Sequence, residues 1–325
     1  MTINETERAG ADSWQIPDYV NPAAFTDRDV TVGSGGLAVA GVLSVPVGRG
    51  PHPAVVLLAG GGAFDRDGTI GPNRIYRDLA WGLACRGIAV LRFDKVTLTH
   101  ADTVAATPEF TLCDEYLPHA LAAIEILGAA PDIDAKRIHL VGHSMGGRIA
   151  PRVAEASPSV AGIVTLAGDT QPMWWAMVRV LRHLAELDPA AVAAFPPVET
   201  VIGQAELVDS PELSLETPTE DLPFGQSAAY WLDLRAYDPV AVAASLDIPM
   251  LILQGERDYQ VTVDGDLALW RAGLGDRADV DIRTYPAADH LFFPGDTPSM
   301  PTDYARPQHV DGRVVADIAE WIMAH

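Results

Sequence analysis

The stretch Leu140-Val141-Gly142-His143-Ser144-Met145-Gly146-Gly147 limits what this chain can fold into more than any other. An apolar run ends at a serine flanked by glycines, and a segment of small residues follows at once. A serine in so sharp a strand-to-helix turn crowds its neighbours, and at Gly142 and Gly146 a Cβ would collide with backbone. The turn holds the hydroxyl out into a pocket. The helix behind it aims its first amides, Met145 among them, at the place where negative charge would build on an attacked carbonyl oxygen. A plain glycine turn carries the same letters, so the reading depends on context: 137–141 reads as a short buried strand and 148–156 as a helix.

The rest of the chain supplies a matching frame. Residues 29–32 and 37–46 read as an antiparallel hairpin joined by Gly33-Ser34-Gly35-Gly36. A buried strand at 54–59 ends in Gly60-Gly61-Gly62. A helix at 76–86, a strand at 88–93, a helix at 115–127, the serine turn and a strand at 162–167 come next. Such alternation builds a parallel sheet. From residue 169 the pattern changes: Trp174, Trp175, Met177, Val178, Leu181 and Leu184 recur at helical spacing, and 196–223 is acidic and proline-rich. Strands resume at 249–254 and 280–285 before a closing helix at 313–323. The expectation is an α/β chain with a mostly parallel central sheet flanked by helices. Its core comes in two parts, 1–168 and 239–325, with an inserted, mainly helical cap at 169–238.

A formal net charge of −22 repels phosphate backbones and anionic lipid, which argues against nucleic acid and against a membrane surface as partners. The opening residues 1–7 lack a basic start followed by an apolar stretch, and no run reaches the length of a membrane span, so a cytoplasmic location is expected. The two cysteines, Cys85 and Cys113, lie in segments that read as helical, without the spacing of a metal knuckle or redox pair, and read as reduced thiols. None of this decides whether the chain forms a homo-oligomer.

A serine hydroxyl is a weak nucleophile until a base takes its proton, so Ser144 calls for a histidine and an acid that orients it. Asp258 follows the strand at 250–254 after a short turn, and His290 follows the strand that ends at Tyr285. Asp169, after the strand at 162–167, is an alternative acid. Asp289 reads as a hydrogen-bonding loop residue, His143 as packing against the pocket or lining it, and His52 and His100 as solvated. The oxyanion needs a second amide besides that of Met145; Gly61 is the first choice and Gly62 the second. A phosphate cradle fits less well, because the glycine loop lacks the lysine and serine that end a P-loop. Arg66, between Asp65 and Asp67, is either an ion-paired loop brace or a contact for a carboxylate-bearing substrate. Trp174, Trp175, Tyr230 and Trp231 either pack the cap against the core or offer apolar substrate surface.

With Ser144, Asp258 and His290 in that chain order, the sequence resembles the α/β-hydrolase superfamily, and within it a bacterial serine esterase group related to dienelactone hydrolases. The likeness is carried by 59–68, 87–95, 142–147, 252–261 and His290-Leu291-Phe292, with Tyr304 and Trp321 behind them. The resemblance implies the α/β-hydrolase fold and carboxylesterase activity, with Ser144 as nucleophile, Asp258 as acid and His290 as base. It implies neither metal nor organic cofactor. The expected substrate is a small-molecule ester or thioester, cleaved through an acyl-enzyme. Where such esterases often continue Asp-Lys with Arg-Gly, this chain has Asp94-Lys95-Val96-Thr97-Leu98-Thr99-His100, which rebuilds the pocket rim. Dienelactone hydrolases generally carry cysteine at the elbow, which disfavours their substrate here. Two other readings use the same residues: elimination or acyl transfer in a biosynthetic pathway, and a non-catalytic ligand-binding protein.

Overall fold

The computed structural model describes residues 14–193 and 195–325; the opening residues 1–7 lie outside these. Eight strands form one sheet: β1 (Phe25–Val32), β2 (Val39–Pro46), β3 (His52–Leu58), β4 (Ala89–Phe93), β5 (Ile133–His143), β6 (Val160–Leu166), β7 (Met250–Gly255) and β8 (Val280–Tyr285). Their order is β1-β2-β4-β3-β5-β6-β7-β8. Only the β1–β2 and β2–β4 pairings are antiparallel, and every pairing from β4 to β8 is parallel.

A parallel strand is buried on both faces, and the sequence of each central strand shows it. Along β3, Val56 and Leu58 point into one apolar cluster with Leu140, Ile163 and Ile252. Val55 and Leu57 point into another with Val141, Val164 and Leu253. The helices α1 (Ile75–Ala84) and α9 (Gly312–Ala324) cover the second face through Leu79, Leu83, Val314 and Ile318. The first face is covered by α2 (Leu112–Ala129) and α3 (Met145–Ala156) through Ile124, Leu127, Ile149 and Val153.

Between β6 and β7 run α4 (Met173–Leu187), α5 (Val198–Asp209), α6 (Ala228–Ala236) and α7 (Pro239–Ser245), and α8 (Ala268–Leu274) follows β7. Among the described residues, no helix is long and apolar enough to cross a membrane.

One local expectation is corrected. The first strand begins at Phe25, and Leu37 belongs to a 3₁₀ turn, Gly35–Leu37, rather than to β2. Most of β1 is exposed, as suits an edge strand, so Asp27, Arg28 and Asp29 hid it from a reading based on apolar pattern. The acidic, proline-rich stretch also contains a helix, α5. Pro197 caps it, and Val201, Ala205 and Val208 form its buried stripe.

The register sets the site. Leu58, Gly142, Thr165, Ile252 and Ile282 pair in one row across β3, β5, β6, β7 and β8. The loops after these parallel strands therefore all emerge along one edge of the sheet, where open α/β sheets place their ligands. Those loops carry Gly60 to Gly62, Ser144, Asp169, Asp258 and His290.

Candidate active site

Ser144 joins β5 to α3 with φ +53° and ψ −122°, a backbone conformation that L-residues rarely adopt. The turn is held by Ser144 N–H donating to the Leu166 carbonyl at 2.9 Å. Its flanks are as tight as the sequence implied. A Cβ on Gly142 would lie 2.2 Å from the Gly146 oxygen, and one on Gly146 would lie 2.2 Å from the Leu58 oxygen. Real Cβ atoms do not come so near to backbone, so both positions admit glycine alone.

The glycine loop after β3 runs alongside. A Cβ on Gly60 would stand 3.3 Å from Ser144 Cβ, and one on Gly61 would stand 3.7 Å from Met145 Cβ. Gly61 and Met145, whose amides are the two expected oxyanion donors, are thus neighbours beside the serine. Gly62, the second choice, has a positive φ of 102° and faces Phe64.

Asp258 and His290 meet as expected. His290 Nδ1 donates to Asp258 Oδ2 at 2.7 Å, and both side chains are buried. The carboxylate is further fixed by Gln254 Nε2 on Oδ2 at 3.2 Å, and by the Gln260 and Val261 amides on Oδ1 at 2.8 and 3.0 Å. With Nδ1 as donor, the lone pair of the neutral ring resides on Nε2. Burial opposes a charge on this ring, but the charge and hydrogen bond of Asp258, joined by the charges of Asp289 and Asp169, raise the His290 pKa above the ordinary histidine value.

His143 joins this pair to the turn. Its Nε2 donates to the His290 carbonyl at 2.8 Å, so its Nδ1 is the acceptor, 3.3 Å from Tyr76 Oη. Tyr76 Oη in turn accepts the Gly60 N–H at 2.6 Å. The bonds run in one direction, from Gly60 through Tyr76 and His143 to His290, and link the glycine loop to the histidine loop. Burial, helped by the neighbouring His290, pushes the His143 pKa down to about 3, so this ring stays neutral.

The other candidates separate. Asp169 turns to Arg148, at 3.2 Å, and acts on His290 only as a more distant charge. Asp289 braces its own loop by accepting the Leu291 and Phe293 amides. Arg66 is a brace, but its partner is Asp94, reached by both its amide and its guanidinium, rather than the flanking Asp65 or Asp67; Asp67 pairs with Arg77 and Arg92. His100 is not free in solvent, since its ring bonds the Ala38 carbonyl at 2.9 Å, and His52 is half-buried at the start of β3. Both cysteines are free thiols.

The aromatic residues pack. Trp174 and Trp231 meet edge to face and are buried, Tyr230 is buried with its hydroxyl on Glu115, and the half-buried Trp175 shares Asp209 with Trp174. Sequence reasoning missed Tyr76, Gln254 and Met173. The Met173 methyl, from the first turn of α4, would lie 4.0 Å from a Cβ on Gly61 and so overhangs the glycine loop. Lys95 was also missed: it comes two residues after β4 and lies buried against the Gly60 carbonyl.

A parallel sheet with a strained, glycine-flanked serine at its central turn, and a histidine–carboxylate pair on the same edge, defines a hydrolase architecture of the α/β class. The chain belongs to the alpha/beta hydrolase family, whose model matches residues 55–306. It is 36% identical over 318 residues to esterase EstD of Thermotoga maritima, which covers 98% of this chain and 72% of that protein. It is also similar in fold to 2,6-dihydroxy-pseudo-oxynicotine hydrolase (TM-score 0.54, 17% identity), over 91% of this chain and 66% of that one. A dienelactone hydrolase from Anabaena variabilis matches with a TM-score of 0.52 and 17% identity, over 93% of this chain and 99% of the other. At these identities the solved structures speak for the fold alone.

Proposed function

We propose that this protein is a serine carboxylesterase acting on small-molecule esters. The observation that carries the reading is the 2.7 Å bond between His290 and Asp258, buried on the sheet edge where Ser144 is held at φ +53°. In this reading His290 Nε2 takes the Ser144 proton as Oγ attacks the ester carbonyl, and Asp258 stabilises the imidazolium that forms. The Met145 and Gly61 amides receive the charge on the carbonyl oxygen. His290 then protonates the departing alcohol, and water, activated by the same ring, releases the acid from the acyl-enzyme. Residues 169–238 serve as a cap, with Met173 as the apolar roof over the acyl group. The relationship to a protein named an esterase supports this choice among hydrolase reactions.

A fluorophosphonate probe tests the reading, because it reacts only with an activated nucleophile. Mass spectrometry is expected to find one adduct, on Ser144. An intact protein that takes no label, or takes it elsewhere, overturns the proposal in favour of a ligand-binding role.

The pH dependence carries its own sign. The base works only when neutral, so kcat/KM should fall as pH drops through the His290 pKa, following a single ionisation. Because Asp258 raises that pKa, the midpoint should lie above the ordinary histidine value of about 6.5. A rate profile with its acid limb well below that value would contradict the assignment.

A further inference from the structure

We propose that Lys95 is a positioning residue for the oxyanion hole, its ammonium group fixing and polarising the Gly60–Gly61 peptide. This rests on the reading above, in which the Gly61 N–H receives the developing charge. The carbonyl of Gly60 and the N–H of Gly61 are two ends of one planar, conjugated unit. Lys95 Nζ donates to that carbonyl at 2.8 Å. A cation at the oxygen draws electron density along the unit and strengthens the donor at its other end. It also fixes the plane in which that donor points.

The remaining contacts of Lys95 show a group built to stay charged. An ammonium has three N–H donors, and three acceptors surround this one: the Gly60 carbonyl, Tyr116 Oη at 2.8 Å and Glu115 Oε1 at 2.6 Å. Tyr116 Oη passes its own proton to the Ala59 or Gly60 carbonyl, each 3.0 Å away. Tyr230 Oη and Thr97 Oγ1 donate to Glu115. Lys95 and Glu115 are both buried, and such a pair is a poor source of stability compared with apolar residues of the same volume. Its position is better explained by what the ammonium touches. On the other side of Gly60, the amide donates to Tyr76 Oη, so the residue is clamped at both its polar groups.

The test removes the charge without stranding its partner. In Lys95→Met/Glu115→Gln, kcat for a nitrophenyl ester should fall about thirtyfold with KM within about twofold, a loss somewhat smaller than deleting an oxyanion donor outright. The inhibition constant of a trifluoromethyl ketone, whose adduct with Ser144 carries the oxyanion, should rise by the same factor. A folded double variant with kcat unchanged, or with reduced kcat but an unchanged inhibition constant, overturns the proposal.

If that variant does not fold, Glu115→Gln alone carries the test. Burial already holds the Lys95 amine below the ordinary lysine value, and the Glu115 carboxylate opposes that effect. Without the carboxylate, Lys95 should lose its proton at lower pH. Tyr116 and Tyr230 are the other titratable groups around the pair, and burial pushes both well above their ordinary range, so neither supplies an alkaline limb of its own. The alkaline fall in kcat should therefore lie at lower pH in the variant than in the wild type; superposable profiles overturn the proposal. Activity that survives Ser144→Ala would defeat the hydrolase reading itself, whereas loss in Ser144→Ala with no effect at Lys95 defeats this inference alone.

Discussion

Replacing Ser144 by alanine is expected to lower kcat for a nitrophenyl ester by about four orders of magnitude while leaving the thermal transition within a few degrees of the wild type. The size follows from what the variant retains. Gly61 and Met145 remain neighbours beside residue 144, so on the proposed mechanism water attack keeps some electrostatic help, but no covalent intermediate can form. Stability should hold because alanine occupies the φ of +53° with the same Cβ as serine, so the strain of the turn is unchanged. The Leu166 carbonyl also keeps its bond to the backbone amide at 144. His290→Ala should match this loss in kcat, because a nucleophile without its base and a base without its nucleophile fail at the same step. Activity in Ser144→Ala within tenfold of the wild type, measured on protein with an unchanged melting transition, would remove Ser144 from the reaction.

How much of this was legible in the sequence depended on whether a residue's partner is near or periodic. The central strands were legible because a strand covered on both faces must be apolar throughout, as 54–58 and 250–253 are. The serine turn was legible because its steric demand falls on glycines two residues either side, a local constraint. Asp258 and His290 were paired as candidates by a simple rule, that residues soon after parallel strands emerge on one edge of the sheet, and the two are hydrogen-bonded there.

Lys95 satisfied the same rule, two residues after β4, but no role for it was legible in the sequence, because its carbonyl partner lies after a different strand. Tyr76 was hidden inside a helix whose buried face already accounted for an aromatic residue. The tryptophans of α4 and α6 show where the pattern left two readings open. A rich aromatic pattern at helical spacing was open to a substrate role, yet Trp174 and Trp231 spend their surface on each other. Arg66 could be read as a brace from its neighbours' charge, but not the identity of its partner, because Asp94 comes from the end of another strand.

The Asp258→Asn variant should be almost as damaging as loss of the serine, with kcat about three to four orders of magnitude below wild type. The geometry explains why an isosteric change would cost so much. Oδ1 accepts two backbone amides, from Gln260 and Val261, whereas Oδ2 accepts the His290 Nδ1–H and the Gln254 side chain. An asparagine there must point its carbonyl at the two amides, since its NH₂ would otherwise oppose both. The NH₂ then faces His290 and donates to Nδ1, so the ring proton moves to Nε2, the nitrogen that has to be free to deprotonate Ser144. The variant therefore selects the wrong tautomer in addition to losing the charge that stabilises the imidazolium. A drop of this size corresponds to about 4–5.5 kcal/mol of transition-state stabilisation. Asp169→Asn is the control. It faces Arg148 instead of the imidazole, so it should cost some stability, through weakened pairing of a buried guanidinium, and less than about tenfold in kcat. Steady-state kinetics on both variants, with melting curves alongside, decide between them: a silent Asp258→Asn beside a crippled Asp169→Asn would move the acid one strand earlier in the sheet.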